Sequence, residues 1–213
     1  MTKIALVTGA SRGLGAALAE ALAPEHHVIA VARTVGALEE LDDRIRAKGG
    51  SATLAPMDVA TTEAMGQMCL DIRSRWGHVN VWAHTAIHAA PLTPAGHIDD
   101  KDWAKSVSIN LTAASELIRM VEPLLQAAED GTALFFDDPR GGSPFFGSYG
   151  ATKAAQIALV RSWQAESAKL GPRVLIESPE PMGTAVRGRF YPGENRETLA
   201  RPTDVAARIV ASL

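Results

Sequence analysis

The chain has 213 residues, 46% of them hydrophobic, with 21 Lys and Arg against 24 Asp and Glu for a formal net charge of −3. That length fits a single domain, because one core can grow to roughly 250 residues before chains tend to split, and the lack of a basic excess argues against nucleic acid or an anionic membrane as partner. No apolar run approaches the roughly 20 residues of a membrane span, the opening MTKIALVTGA lacks a signal-peptide layout, which predicts a cytoplasmic location, and Cys69, the only cysteine, rules out an internal disulfide and argues against a cysteine-based metal site.

In chain order, short runs rich in Val, Ile, Leu and Ala alternate with longer segments of helical period. The pattern predicts strands near 3–8, 27–32, 52–57, 79–85, 132–136 and 173–178, and helices near 13–23, 35–48, 62–76, 101–128, 148–170 and 203–212. Parallel strands covered on both faces are continuously apolar, as IALVT, VIAVA, VNVWA and TALFF are. The alternation predicts an α/β fold of three layers, a mostly parallel sheet between two layers of helices. Residues 187–202, RGRFYPGENRETLARP, have no clear period and carry Gly, Pro and charges, which predicts a mobile loop over the sheet. No linker or repeat divides the chain, so residues 1–213 read as one domain.

The first strand runs directly into Gly9, Gly13 and Gly15, and an alanine-rich helix follows. In that context Gly9 permits the sharp turn, Gly13 lets backbone N–H groups approach a pyrophosphate, and Gly15 lets the helix pack close on the sheet. An anion would rest at the helix N-terminus, where unpaired N–H groups and the dipole favour negative charge. Glycine used for packing alone is the competing explanation, and the order strand, glycines, helix speaks against it.

Thr8-Gly9-Ala10-Ser11-Arg12-Gly13-Leu14-Gly15 matches the pattern T-G-x-x-x-G-x-G. Asp58-Val59, Asn110 and the pair Tyr149-x-x-x-Lys153 follow in order. With these landmarks the chain resembles the classical short-chain dehydrogenase/reductase family over almost its whole length. The resemblance implies a Rossmann-like doubly wound sheet, here with six strands and the family's common seventh missing. It implies a nicotinamide dinucleotide held by Gly9, Ser11, Arg12, Gly13 and Leu14, with Asp58 and Val59 at the adenine and Ala86 and Thr184 toward the nicotinamide. Tyr149 would donate or remove the substrate proton, Lys153 would bind the nicotinamide ribose, and Asn110 would anchor a water in a proton relay. The implied substrate is a small carbonyl compound or alcohol, and the implied assembly is a homodimer through the long helices near 101–128 and 148–170.

The second strand ends in Ala32-Arg33-Thr34, with no carboxylate before Glu39 to accept the ribose 2′-hydroxyl of NAD. Arg33, together with Arg12 in the glycine turn, suits the 2′-phosphate instead, so NADP(H) is expected over NAD(H). Plain solvated surface charges remain the bland alternative for both arginines.

Tyr149 and Lys153 are four residues apart and share one helix face. A tyrosine of pKa about 10 is a poor base at neutral pH, and a nearby ammonium is expected to lower it. The family's serine, which hydrogen-bonds the substrate oxygen, is absent. Counting back from Tyr149 without a gap reaches Phe136, and a two-residue deletion puts Asp137 or Asp138 in its place. An ionised aspartate cannot simply substitute, because it repels a developing alkoxide. Ser143, beside the pliant Gly141-Gly142, is another candidate, and Asp137-Asp138 as a solvated strand-end pair is a third reading. The family's Asn-Asn-Ala-Gly reads His84-Thr85-Ala86-Ile87, and its Pro-Gly reads Pro179-Glu180. The departures cluster at the nicotinamide half of the site.

His84, His88 and His97 do not suggest a metal, since i,i+4 spacing on a strand end and loop does not bring side chains to one face. Phe145, Phe146, Phe190 and Tyr191 suit either a substrate pocket or packing. Two functions follow: an NADP(H)-dependent oxidoreductase using Tyr149, Lys153 and Asn110, or a non-catalytic relative that keeps the dinucleotide fold for sensing or interaction.

Overall fold

The computed structural model describes residues 2–213. In chain order its main elements are β1 (Lys3–Thr8), α1 (Gly13–Leu22), β2 (His26–Ala32), α2 (Val35–Ala47), β3 (Ser51–Pro56), α3 (Thr62–Arg75), β4 (Val81–His84) and α4 (Asp100–Ser106). After a π-helical turn at Val107–Thr112 come α5 (Ala113–Gln126), β5 (Thr132–Phe136), α6 (Gly147–Ser167), β6 (Arg173–Glu177), α7 (Ala185–Phe190) and α8 (Pro202–Val210).

The strands form one sheet in the order β3-β2-β1-β4-β5-β6, and every pairing is parallel. Because side chains alternate across a strand, Ile4 and Leu6 of β1 face one layer while Ala5 and Val7 face the other. The first layer packs Trp82 and Phe135 against Met65, Ile72, Leu117, Val121 and Trp163. The second packs Val28 and Ala30 against Leu18, Leu22, Leu38, Ile45, Val205 and Ile209. This is the three-layer, doubly wound architecture of the Rossmann type.

Strand order reverses between β1 and β4. In such sheets the crevice outside the carboxyl ends of the strands, at the reversal, is where ligands bind. The glycine turn leaves β1 there, and Thr85 leaves β4 beside it. Thr85 Oγ1 donates to the carbonyl of Thr8 at 2.8 Å, which ties the two strand ends together.

Two segments differ from the sequence expectation. The helix expected near 101–128 runs from Asp100 to Gln126 but widens into a π-helical turn at Val107–Thr112. Its start is fixed by Asp99, whose carboxylate accepts from the N–H groups of Lys101 and Asp102. The mobile loop expected at 187–202 instead begins inside α7, and a single 3-10 turn follows at Arg196–Thr198. Thr184 caps α7 by accepting from the N–H of Arg187 at 3.2 Å, and Phe190 is buried against Phe146 and Tyr149. Among the described residues no helix is long and apolar enough to cross a membrane.

Candidate active site

A cavity of about 520 Å³ opens at the carboxyl ends of the strands, within the usual range for small-molecule and cofactor sites. Its walls include Gly9, Ser11, Arg12, Gly13, Leu14, Arg33, Asp58, Val59, Ala86, Lys153 and Thr184. Each of the residues that the sequence nominated for the cofactor therefore borders one space. Gly9 and Gly13 have φ of +88° and +58°, the left-handed region that favours glycine. A Cβ on Gly9 would lie 2.6 Å from the backbone nitrogen of Ala86. Helix α1 follows with no acidic residue in its first turn and no side-chain cap, and Gly13, Leu14 and Gly15 of that turn border the cavity, an arrangement that suits an anion.

The phosphate-side cations are placed differently. Arg12 occupies the N-cap position of α1 with extended backbone. Arg33 stands at the end of β2 with its guanidinium 3.5 Å from the Asp58 carboxylate, both side chains being substantially exposed. An ion pair of that kind holds its partners weakly. Asp58 is anchored independently by the N–H of Ala60, which donates to it at 3.0 Å. These residues fit a dinucleotide that carries an additional phosphate beside Arg33.

Tyr149 and Lys153 stand on the first turns of α6, and both border the cavity. Their contacts depart from the expected pairing. The Tyr149 hydroxyl donates to Asp138 Oδ2 at 3.1 Å, and the other oxygen of that carboxylate accepts from Arg140 Nε at 2.9 Å. Lys153 Nζ donates to Gln156 Oε1 at 2.8 Å. The lowering of the tyrosine pKa expected from Lys153 is thus reversed. Burial first, then the Asp138 charge and hydrogen bond, push the Tyr149 hydroxyl well above its ordinary value of 10. Burial lowers the Lys153 ammonium to about 8, opposed by the charges of Asp137 and Asp138.

Asn110 is fully buried in the π-helical turn. Its Oδ1 accepts from the N–H of His88 at 2.6 Å, and its Nδ2 donates to the His88 carbonyl and to Thr152 Oγ1, each at 3.0 Å. Its carbonyl accepts from Gln156 Nε2 at 2.7 Å. Gln156 therefore joins Lys153 to Asn110 directly. The sequence reading missed this residue, although Gln156 lies three positions after Lys153 on the same helix face.

Of the candidates for the missing serine's place, Asp138 touches Tyr149. Asp137 turns toward Arg161, 3.7 Å away, and Ser143 does not border the cavity. Phe190 packs edge to face on Phe146 and on Tyr149, with ring centroids 5.0 and 4.8 Å apart, and Phe146 and Tyr149 lie tilted to one another at 6.3 Å. Ile87, in the family's glycine position, packs against this cluster. Phe190 and Tyr191 also border the cavity, so they serve packing and pocket together, while Phe145 is exposed.

His84, which replaces the family's first asparagine, is buried against Trp82 and Phe135. Its Nδ1 lies 2.8 Å from Thr8 Oγ1, and among the described residues its Nε2 has no partner. Burial first, then the Lys153 charge, lower its pKa from 6.5 to about 3. The unfolded chain then binds a proton that the native state refuses between those two values, so this contribution to stability is complete above pH 6.5 and lost as pH falls toward 3. Urea unfolding is expected to show stability declining below pH 6.5 by up to about 1.4 kcal/mol per pH unit from this residue. His84→Leu is expected to flatten that decline; an unchanged slope would show that other groups cause it.

A doubly wound sheet with a glycine turn at its switch point, opening onto a buried tyrosine and lysine, defines a dinucleotide-binding α/β protein with an enzyme-like centre. The short chain dehydrogenase family model matches residues 3–195, and the chain belongs to that family. It is 30% identical over 186 residues to a 3-oxoacyl-[acyl-carrier-protein] reductase of Staphylococcus epidermidis, covering 84% of this chain and 75% of that protein. It is 25% identical to the 2,3-dihydro-2,3-dihydroxybenzoate dehydrogenase of Bacillus subtilis, covering 98% of this chain and 87% of that one. Among solved structures, a metagenomic short-chain oxidoreductase in complex with NADP superposes with a TM-score of 0.83 at 26% identity, covering 98% of this chain and 89% of that chain.

Proposed function

We propose that the protein is an NADP(H)-dependent short-chain oxidoreductase that interconverts a carbonyl and an alcohol. The observation that carries this reading is one continuous cavity bordered by the anion cradle of Gly9 to Leu14, by Arg33, and by Tyr149 and Lys153. Gly9, Ser11, Arg12, Gly13 and Leu14 would hold the pyrophosphate, Arg33 the additional phosphate, Asp58 and Val59 the adenine, and Ala86, Thr184 and Lys153 the nicotinamide riboside. When bound, the cofactor supplies or accepts the hydride. Tyr149 then has the task of moving the proton on the substrate oxygen, with Lys153, Gln156 and Asn110 hydrogen-bonded to one another beside it. The NADP bound to the metagenomic relative supports the phosphorylated cofactor.

Replacing the guanidinium tests the cofactor choice. Arg33→Ala is expected to weaken NADPH binding about tenfold or more, since hydrogen bonds to charged groups contribute about 1.5–3 kcal/mol, while NADH binding changes little. Fluorescence titration with both cofactors checks this, and an equal loss for both would remove Arg33 from the phosphate site.

A second reading, a non-catalytic dinucleotide-binding relative, is favoured by one observation: the Tyr149 hydroxyl is committed to Asp138 and not to Lys153. Turnover of alcohols or carbonyls that disappears in Tyr149→Phe would reject it. Family pairing through α5 and α6 supports a homodimer, which sedimentation equilibrium would test.

A further inference from the structure

A neutral tyrosine has one proton to give, and here it is given to a carboxylate. That leaves the lone pairs of the Tyr149 oxygen as the side available to a substrate. An alcohol O–H can donate to them, whereas a carbonyl oxygen cannot be hydrogen-bonded by a hydroxyl already directed elsewhere. The contact at Asp138 Oδ2 therefore sets the direction in which a proton would move.

The other route away from Tyr149 is closed by an amide. Gln156 spans from Lys153 Nζ to the Asn110 carbonyl, and a carboxamide holds its protons too firmly to pass them on. Asp138, by contrast, borders the cavity with a third of its side chain exposed, and Arg140 fixes its orientation. It thus touches both the tyrosine and solvent.

We propose that Asp138 is the terminal proton acceptor of this site, so that alcohol oxidation proceeds through a neutral Tyr149 by a two-proton shift. This inference rests on the oxidoreductase reading above. In the step, the alcohol O–H proton passes to Tyr149 Oη while the Tyr149 proton passes to Asp138 Oδ2. The carbinol carbon yields its hydrogen and electron pair as hydride to the oxidised nicotinamide, and the C–O bond becomes C=O. Asp138 then releases its proton to solvent. Carbonyl reduction runs through the same atoms in reverse and needs Asp138 protonated at the start. The raised pKa of Tyr149 is consistent with a group that never becomes a free phenolate.

The charged and titratable groups that face Asp138 are Arg140 and Asp137 on its own loop, Tyr149 and Lys153 on α6, and Arg187 on α7. Arg140 holds the carboxylate in place and cannot take the proton itself.

Two measurements test the proposal. NADP-dependent alcohol oxidation is compared among wild type, Asp138→Asn and Asp138→Ser, with cofactor affinity followed by fluorescence. Asparagine keeps the acceptor oxygen but cannot take a proton, so kcat is expected to fall about 100-fold or more with KM and NADPH affinity unchanged. Serine leaves Tyr149 dependent on its phenolate, so the residual rate is expected to rise with pH more steeply than the wild-type rate does. The second readout needs no turnover. The chain has two tyrosines, so in a Tyr191→Phe background tyrosinate absorbance reports Tyr149 alone, and Asp138→Asn is expected to bring its ionisation to lower pH. Undiminished kcat in Asp138→Asn, or a tyrosinate titration that does not move, would overturn the relay while leaving the oxidoreductase reading intact. Cofactor binding without turnover in the wild type would overturn both.

Discussion

Tyr149→Phe is expected to leave the protein folded and able to bind NADPH while lowering kcat for alcohol oxidation and carbonyl reduction by about 100- to 10,000-fold, the usual contribution of a positioned acid/base group. Only the hydroxyl is removed, and the ring keeps its edge contact with Phe190 at a centroid distance of 4.8 Å. Burial of the apolar ring, which dominates local packing, is unchanged. The loss is expected in kcat, because the hydroxyl is the proposed carrier of the substrate proton and contributes little to cofactor binding. The variant also leaves Asp138 held by Arg140 without a second donor, so its folding is checked by thermal unfolding. Equal turnover in wild type and Tyr149→Phe would show that the proton is moved by another group.

Gly15→Ala carries a large expected structural effect at the cofactor turn. A Cβ there would sit 2.3 Å from the carbonyl oxygen of Gly9 and 2.4 Å from Thr85 Oγ1. The first of these is backbone, so relief requires α1 to move away from the turn. That movement would also loosen the Thr85 contacts that join the ends of β1 and β4. Overpacking of this kind costs roughly 1–3 kcal/mol, or several degrees in Tm for a chain of this size at about 2–4 °C per kcal/mol. NADPH affinity is expected to fall as well, because the helix N-terminus proposed to hold the pyrophosphate is displaced. Gly36→Ala is the control, since a Cβ at Gly36 meets nothing within 4 Å. Equal behaviour of the two variants would show that α1 is not tightly seated on the turn.

The turn itself was legible because strand, glycines and helix occur in one order that few other structures require, and the positive φ angles at Gly9 and Gly13 bear out that local reading. Strand positions were also legible, since buried parallel strands are continuously apolar. Three features were not. Helix α7 is only six residues long, too short for periodicity to distinguish it from the loop around it, and its seat depends on Phe190 reaching a distant aromatic cluster. The π-helical turn at Val107–Thr112 leaves no compositional mark. The partners of Tyr149 and Lys153 were hidden for a different reason: i,i+4 spacing puts two side chains on one face without saying what each will touch. Asp138 comes from the loop after β5, and Gln156 comes from the next turn of α6. Together they take the Tyr149 hydroxyl and the Lys153 ammonium as hydrogen-bond partners, which spacing alone does not disclose.

The most direct measurement of the central claim is absorbance of the reduced nicotinamide as wild-type protein is offered NADP with a panel of alcohols and NADPH with the corresponding ketones and aldehydes. The expected result is turnover with at least one pair, faster with the phosphorylated cofactor than with NAD(H). Tight NADPH binding without turnover in either direction would contradict it and leave a dinucleotide-binding protein that performs no hydride transfer.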